Sequence, residues 1–129
     1  MFRLVKVLNG NNQYETHRIE NTDSIEITPG CALSCSSGKL SIPSATTRPD
    51  YIALSESGHL FTNKIDAMLV TEDMIFLVEI TGTHAPSIGT SVGLSSKNAK
   101  MDSVSYNSNG KGTIVGIGEN DTVYVRFHK

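Results

Sequence analysis

Apolar and polar residues alternate in short runs along most of this chain. The clearest run is MIFLVEI over residues 74–80, in which Met74 and every second residue after it are apolar and Glu79 falls among the intervening positions. A period of two residues is typical of a β-strand, whose successive side chains point to opposite faces. The preceding segment, residues 64–70, fits either a strand or a short helix, and we favour the strand.

Similar runs recur between turns rich in Gly, Pro, Ser, Thr and Asn. Pro29 and Gly30 suit the two central positions of a type II turn, and Ser36, Ser37 and Gly38 have the composition of a hairpin loop. The further segments that fit strands are 2–8, 16–19, 24–27, 31–34, 39–42, 51–54, 90–94, 101–106, 112–117 and 122–128. From these twelve candidate segments we expect about nine or ten short strands, mostly antiparallel, with little or no helix.

This pattern predicts an all-β fold. Many short strands with turn signals about every 8–12 residues are typical of a small β-barrel or sandwich, and the chain shows no alternation of strands with helices. Barrel and sandwich both stay open, because the sequence does not give the order of the strands. No linker or internal repeat interrupts residues 1–129, so we expect a single domain.

The net charge of the chain argues against nucleic-acid binding. Its 129 residues include 11 Lys and Arg against 13 Asp and Glu, a formal charge of -2. A near-neutral chain lacks the counterion release that gives nucleic-acid-binding proteins much of their affinity. No apolar run approaches the roughly 20 residues that span a bilayer, and Arg3 and Lys6 interrupt the first apolar run, unlike a secretory signal. We therefore expect neither nucleic acid nor membrane as a partner.

Cys31 and Cys35 are the two cysteines of the chain. On one strand, a separation of four residues places their Cα atoms about 13 Å apart, beyond the reach of a disulfide. We expect two reduced thiols, although a tight turn between them would allow a bond. The four histidines are scattered singly, so we expect no metal site and no cofactor.

Residues 89–93, GTSVG, match the G-x-S-x-G nucleophile elbow of hydrolases, and Asp102 and His128 follow in the chain order of a hydrolase triad. An elbow needs a strand before the serine and a helix after it, whereas a polar segment follows here at residues 95–98. We interpret the motif as a glycine turn that opens a strand. We therefore expect that the protein is not an enzyme.

Six short motifs follow one another between residues 30 and 127. They are GCAL at 30–33, GKL at 38–40, RPDYIAL at 48–54, IGTSVGL at 88–94, GTIVGI at 112–117 and VYVRF at 123–127. Their order resembles the G-x-A-L, G-K-L, K-P-T-Y-I, I-G-x-x-V, G-x-A-x-I-V-G and V-x-V-R-F pattern of small capsid-associated proteins of tailed bacteriophages. The resemblance leaves residues 1–29 uncovered.

The resemblance implies a decoration, or cement, protein that binds the outer surface of an assembled phage capsid and stabilises the head. Such proteins are small β-barrels without catalytic residues. The implied partners are the major capsid protein lattice and further copies of the chain, often as a homotrimer. The implied location is the exterior of the virion, after synthesis in the bacterial cytoplasm. The alternative is a receptor- or glycan-binding β module of a phage head fibre or tail, which the absence of tryptophan disfavours.

We select the N-terminal segment as the part that contacts the capsid, with Phe2, Arg3, Leu4 and Lys6 as the candidate residues. A terminal strand that mixes apolar and basic residues can add to the edge of a neighbour's sheet. The other interpretation is that the segment is an ordinary first strand of the barrel.

Overall fold

Eleven β-strands make up the secondary structure of the described residues. The computed structural model describes residues 1–8, 13–21, 25–55, 64–82, 85–96 and 100–129. The strands are β1 (Arg3–Val7), β2 (Thr16–Glu20), β3 (Ala32–Ser36), β4 (Lys39–Ser41), β5 (Tyr51–Ala53), β6 (Lys64–Leu69), β7 (Met74–Thr81), β8 (Ser91–Ser95), β9 (Ser103–Tyr106), β10 (Gly112–Ile117) and β11 (Thr122–Phe127). No helix occurs in these ranges. The predicted all-β fold is confirmed.

Six of the strands form one sheet, which closes on itself. Its order is β1-β7-β11-β10-β8-β9, and β9 also pairs with β7, where Ile80 is opposite Val104. Strands β7, β11, β10, β8 and β9 therefore form a closed barrel, which decides between barrel and sandwich. The contact between β7 and β9 is parallel, and every other strand pair among the described residues is antiparallel.

Strand β1 lies at the edge of this sheet, beside the first half of β7, where Arg3 is opposite Leu77. Strand β9 pairs with the same edge of β7 further along. The main-chain nitrogen of Met1 donates to the carbonyl oxygen of Asp102 at 2.5 Å, just before β9 begins. This hydrogen bond therefore joins the residues that precede β1 to those that precede β9.

The other five strands form a second sheet in the order β2-β6-β5-β3-β4. The predicted type II turn before β3 is confirmed, since the main-chain nitrogen of Cys31 donates to the carbonyl oxygen of Thr28 at 3.3 Å and Gly30 has φ of 85°. The predicted hairpin loop between β3 and β4 is also confirmed. Its central residues, Ser37 and Gly38, have φ of 51° and 77°, as a two-residue type I′ turn requires.

The strand predicted at residues 24–27 is wrong for the part that the structure describes. Residues 25–28 have no strand pairing, and residue 24 lies outside the described ranges. The side chain of Asn21 donates to the carbonyl oxygen of Ile25 at 2.7 Å and accepts from its main-chain nitrogen at 3.1 Å. Both main-chain groups of Ile25 are therefore occupied by a side chain, in the way that Asn competes with a sheet.

The barrel interior is built around the rings of Phe2, Phe76 and Phe127. Their centroids are 5.7 to 6.1 Å apart in tilted and edge-on arrangements, the geometry that aromatic pairs prefer. A second buried cluster belongs to the five-stranded sheet and comprises Ile27, Cys31, Leu33, Leu40, Ala53, Ile65 and Ala67.

No helix of the described residues has the length and apolar character of a membrane span.

Candidate interaction surface

The four candidate residues of the N-terminal segment divide between the interior and the surface. Phe2 is 3% exposed and packs in the aromatic core, and Leu4, opposite Phe76, packs against the same core. Arg3 and Lys6 are exposed. The segment leads into and forms the edge strand β1 of the barrel sheet, and of the four candidates only Arg3 and Lys6 have exposed side chains.

The strand register places these two cations beside residues from distant parts of the chain. Arg3 lies opposite Leu77, which lies opposite Tyr124 on the far side of β7, and Lys6 lies opposite Ile75. Opposite residues of paired strands share a face. Arg126 follows two residues after Tyr124 and therefore shares this face as well. We call the set Arg3, Lys6, Ile75, Leu77, Tyr124 and Arg126 the β1–β7–β11 face.

Within the described part of the chain, no carboxylate pairs with a cation of the β1–β7–β11 face. Arg3 and Lys6 take part in no ion pair or side-chain hydrogen bond with any described residue. Arg126 donates from Nε and an Nη nitrogen to the carbonyl oxygen of Glu72 at 3.0 and 2.8 Å, which fixes the guanidinium without neutralising it. Glu79 borders the face at the other end, with its carboxylate 3.8 Å from the main-chain nitrogen of Met1. Among the described residues, the positive charge in the middle of the face therefore has no carboxylate partner.

A cavity of about 250 Å³ opens at the barrel end where β7 and β9 finish. Ile80, Val92 and Ile114 contribute its apolar wall, and none of the described residues that line it is charged. Tyr106, at its rim, is 57% exposed, and Ile88 in the adjoining turn is 69% exposed, the largest fraction for any large apolar side chain among the described residues. Exposed apolar groups around a cavity are typical of contact surfaces. We call this region the barrel end.

The GTSVG motif does not form a nucleophile elbow. Gly89 has φ of 92° in a turn, and Ser91 begins β8, so that a strand and not a helix follows the serine. A Cβ on Gly93 would meet the carbonyl oxygen of Ala45, which accepts from the main-chain nitrogen of Leu94 at 3.0 Å. The interpretation of the motif as a glycine turn opening a strand is confirmed, and Gly93 allows a close approach of two main chains.

Cys31 and Cys35 are free thiols. Cys31 is buried, and this burial raises the pKa of its thiol above the ordinary value. Cys35 lies in β3, and its main-chain nitrogen donates to the carboxylate of Asp50 at 2.8 Å. Within the ranges that the structure describes, no three His, Cys, Asp or Glu side chains are grouped so as to hold a metal ion.

The sequence alone missed four members of the β1–β7–β11 face: Ile75, Leu77, Tyr124 and Arg126. Their period-two alternation with buried residues did place them on the outer side of β7 and β11. No local pattern shows that β1 joins β7 rather than its neighbour in sequence. That pairing is a long-range contact, and it brings Arg3 next to Leu77.

Comparison with known proteins identifies a shared fold. No family model and no curated protein matches the chain. A solved structure does match, that of the head fiber gp8.5 N base in bacteriophage phi29, with a TM-score of 0.57. The match covers 90% of this chain and 95% of that one, at 14% sequence identity. The chain therefore has the fold of a phage head-fibre base, over nearly the full length of both.

Proposed function

We propose that this chain is a structural virion protein that binds the outer surface of an assembled phage capsid and stabilises the head. The observation that carries the proposal is the fold shared with the head-fibre base of bacteriophage phi29, which covers 90% of this chain. The sequence resemblance to capsid decoration proteins, over residues 30–127, supports the same location independently. Both observations support a proposed location on the exterior of a phage head, after synthesis in the bacterial cytoplasm.

A stabilising protein of this kind works through binding alone. A chain that binds the expanded capsid and not its precursor stabilises each site by RT ln(1 + [L]/Kd), about 2.7 kcal/mol when the free protein is 100-fold above Kd. The effect repeats at every site of the lattice. No catalytic group is needed, and the proposal assigns none, because Ser91 opens a strand.

The proposal includes self-association into a homotrimer. The barrel end supports this part, because Ile88 and Tyr106 expose apolar surface around a cavity whose described lining residues carry no charge, and a second copy of the chain would cover it. We expect light scattering coupled to size-exclusion chromatography to give three times the mass of the chain. Ile88→Asp should reduce that mass, whereas Val5→Asp, a matched change at an exposed apolar residue of β1, should not. A monomeric wild-type protein would contradict the trimer and leave capsid binding open.

A second candidate function is a module of a phage head fibre that binds a receptor or glycan. The name of the structural neighbour, a head fibre base, favours it, and the barrel-end cavity of about 250 Å³ offers space for a small ligand. A glycan array distinguishes this function from decoration. Specific binding that is lost in a Tyr106→Ala variant would support the module.

Co-sedimentation tests the main proposal. The purified protein is mixed with expanded heads and, as a control, with unexpanded heads of the phage that encodes it. Saturable binding to expanded heads alone is the expected result, together with a higher thermal stability of the decorated heads. Absence of binding to both kinds of head would contradict capsid decoration.

A further inference from the structure

Arg3 and Lys6 of the β1–β7–β11 face differ in their partners from Arg18 on the five-stranded sheet. There, Arg18 lies 3.2 Å from a carboxylate oxygen of Asp66, within an ordinary ion pair. Arg3 and Lys6 have no such partner among the described residues. A chain with a net charge of -2 has acidic residues in excess, so the open cations do not follow from a lack of carboxylates.

The protein surface between the cations of the β1–β7–β11 face is apolar. Ile75 and Leu77 lie on β7 between Lys6 and Arg3 on one side and the β11 residues on the other, and their side chains are half-buried. A charge pair that forms over such a surface loses part of its water and is less screened than one in open solvent. A binding partner that covers Leu77 with an apolar group and supplies carboxylates to Arg3 and Lys6 would therefore match both the apolar surface and the positive charge of the face.

The register sets the spacing of those carboxylates. Arg3 lies opposite Leu77 and Lys6 opposite Ile75, so the two cations are two positions apart along β7. Two residues of a strand span about 7 Å. An extended segment with acidic side chains at alternating positions has the same spacing on one of its faces. The carboxylate of Glu79 disfavours a further carboxylate at the far end of the face.

We propose that the β1–β7–β11 face binds an extended acidic segment of the capsid protein, with carboxylates at alternating positions on Arg3 and Lys6 and an apolar side chain over Leu77. This rests on the proposed function, since it names the chemistry of the capsid site. It assigns the side-chain contacts to Arg3 and Lys6 among the four candidates, because the side chains of Phe2 and Leu4 pack in the core. Ile75, Leu77, Tyr124 and Arg126 join the contact surface.

The test is co-sedimentation with expanded heads of three forms of the full chain. Arg3→Glu/Lys6→Glu reverses both cations, and we expect its affinity to fall on the order of 100-fold, because like charges opposed across an interface cost several kcal/mol. Arg18→Glu/Lys129→Glu makes the same change in net charge elsewhere and should bind as the wild type does. Arg3→Lys/Lys6→Arg keeps the charge and should retain binding. All four substituted positions are exposed, and circular dichroism checks that each variant is folded.

Two further measurements identify the partner. Wild-type binding should weaken as NaCl rises from about 0.1 M to about 1 M, where the screening length falls to about 3 Å. Zero-length carbodiimide coupling should join the amine of Lys6 to an Asp or Glu of the capsid protein, located by mass spectrometry.

The outcomes separate the two proposals. Wild-type binding that survives in Arg3→Glu/Lys6→Glu would overturn the acidic-segment proposal and leave capsid decoration in place. Failure of the wild type to bind any head would overturn both. Binding of the wild type to naked DNA, lost in the same variant, would assign the face to nucleic acid and overturn the assignment to capsid protein.

Discussion

The ring of Phe2 meets the ring of Phe76 edge to face, with centroids 6.1 Å apart and an interplanar angle of 86°. Phe2 also lies 5.7 Å from the ring of Phe127, and its main-chain nitrogen donates to the carbonyl oxygen of Gly30 at 2.7 Å. The second residue of the chain is therefore a central part of the barrel core. The N-terminal segment holds the fold together at the same time as it presents Arg3 and Lys6 to solvent.

Phe2→Ala should destabilise the protein by about 3–5 kcal/mol, because it removes a buried aromatic ring and leaves a cavity between two others. Arg3→Ala, one residue along, should change the free energy of unfolding by no more than about 0.5 kcal/mol, since its side chain is exposed. Urea denaturation measures both. Equal stability of the two variants would contradict the position of Phe2 in the core.

Gly30→Ala should destabilise the protein more than Gly38→Ala. Both glycines have a positive φ, 85° and 77°, which costs an alanine about 1–2 kcal/mol. A Cβ at Gly30 would also collide with the side chain of Met1, whereas a Cβ at Gly38 would have no described atom within 4 Å apart from those of its chain neighbours. The difference between the two free energies of unfolding therefore isolates the contact with Met1, and equal losses would contradict that contact.

Within the GTSVG motif, Gly93→Ala should be the damaging substitution and Ser91→Ala the mild one. A Cβ at Gly93 would collide with the carbonyl oxygen of Ala45, and overpacking of this kind costs about 1–3 kcal/mol or more. Ser91 begins a strand, so its loss should cost no more than about 0.5 kcal/mol. Thermal unfolding measures both variants. A hydrolase activity that disappears in Ser91→Ala would instead restore the nucleophile interpretation.

Stability should fall in alkaline solution through the Cys31 thiol. Burial raises the pKa of Cys31 in the folded state, so the unfolded chain loses this proton first and ionisation favours unfolding. The contribution is complete below the ordinary thiol pKa of about 8.5 and is lost as the pH rises above it. The decline in the midpoint of thermal unfolding between about pH 8 and pH 10 should therefore be smaller in Cys31→Ala than in the wild type. Parallel declines would contradict the prediction.

Local patterns in the sequence predicted most of the strands, because a half-buried strand must alternate apolar and polar side chains. Residues 112–117 were predicted with the bounds that β10 has in the structure, and residues 74–80 match β7 to within one residue. The failure at residues 24–27 has a local cause, since the amide of Asn21 occupies the main-chain groups of Ile25. Apolar alternation does not reveal such a competitor.

The sequence by itself determined that the chain forms a β protein, where its turns lie, and that Arg3 and Lys6 are available near its start. The tertiary structure alone decided that β9 closes the barrel on β7 and that β1 lies beside the same strand. Those pairings join residues that are far apart in the chain, and many strands could offer the same hydrogen bonds. The choice among them depends on how the aromatic side chains pack together in the interior. In the folded chain Phe2 lies in that core and Arg3 lies opposite Leu77.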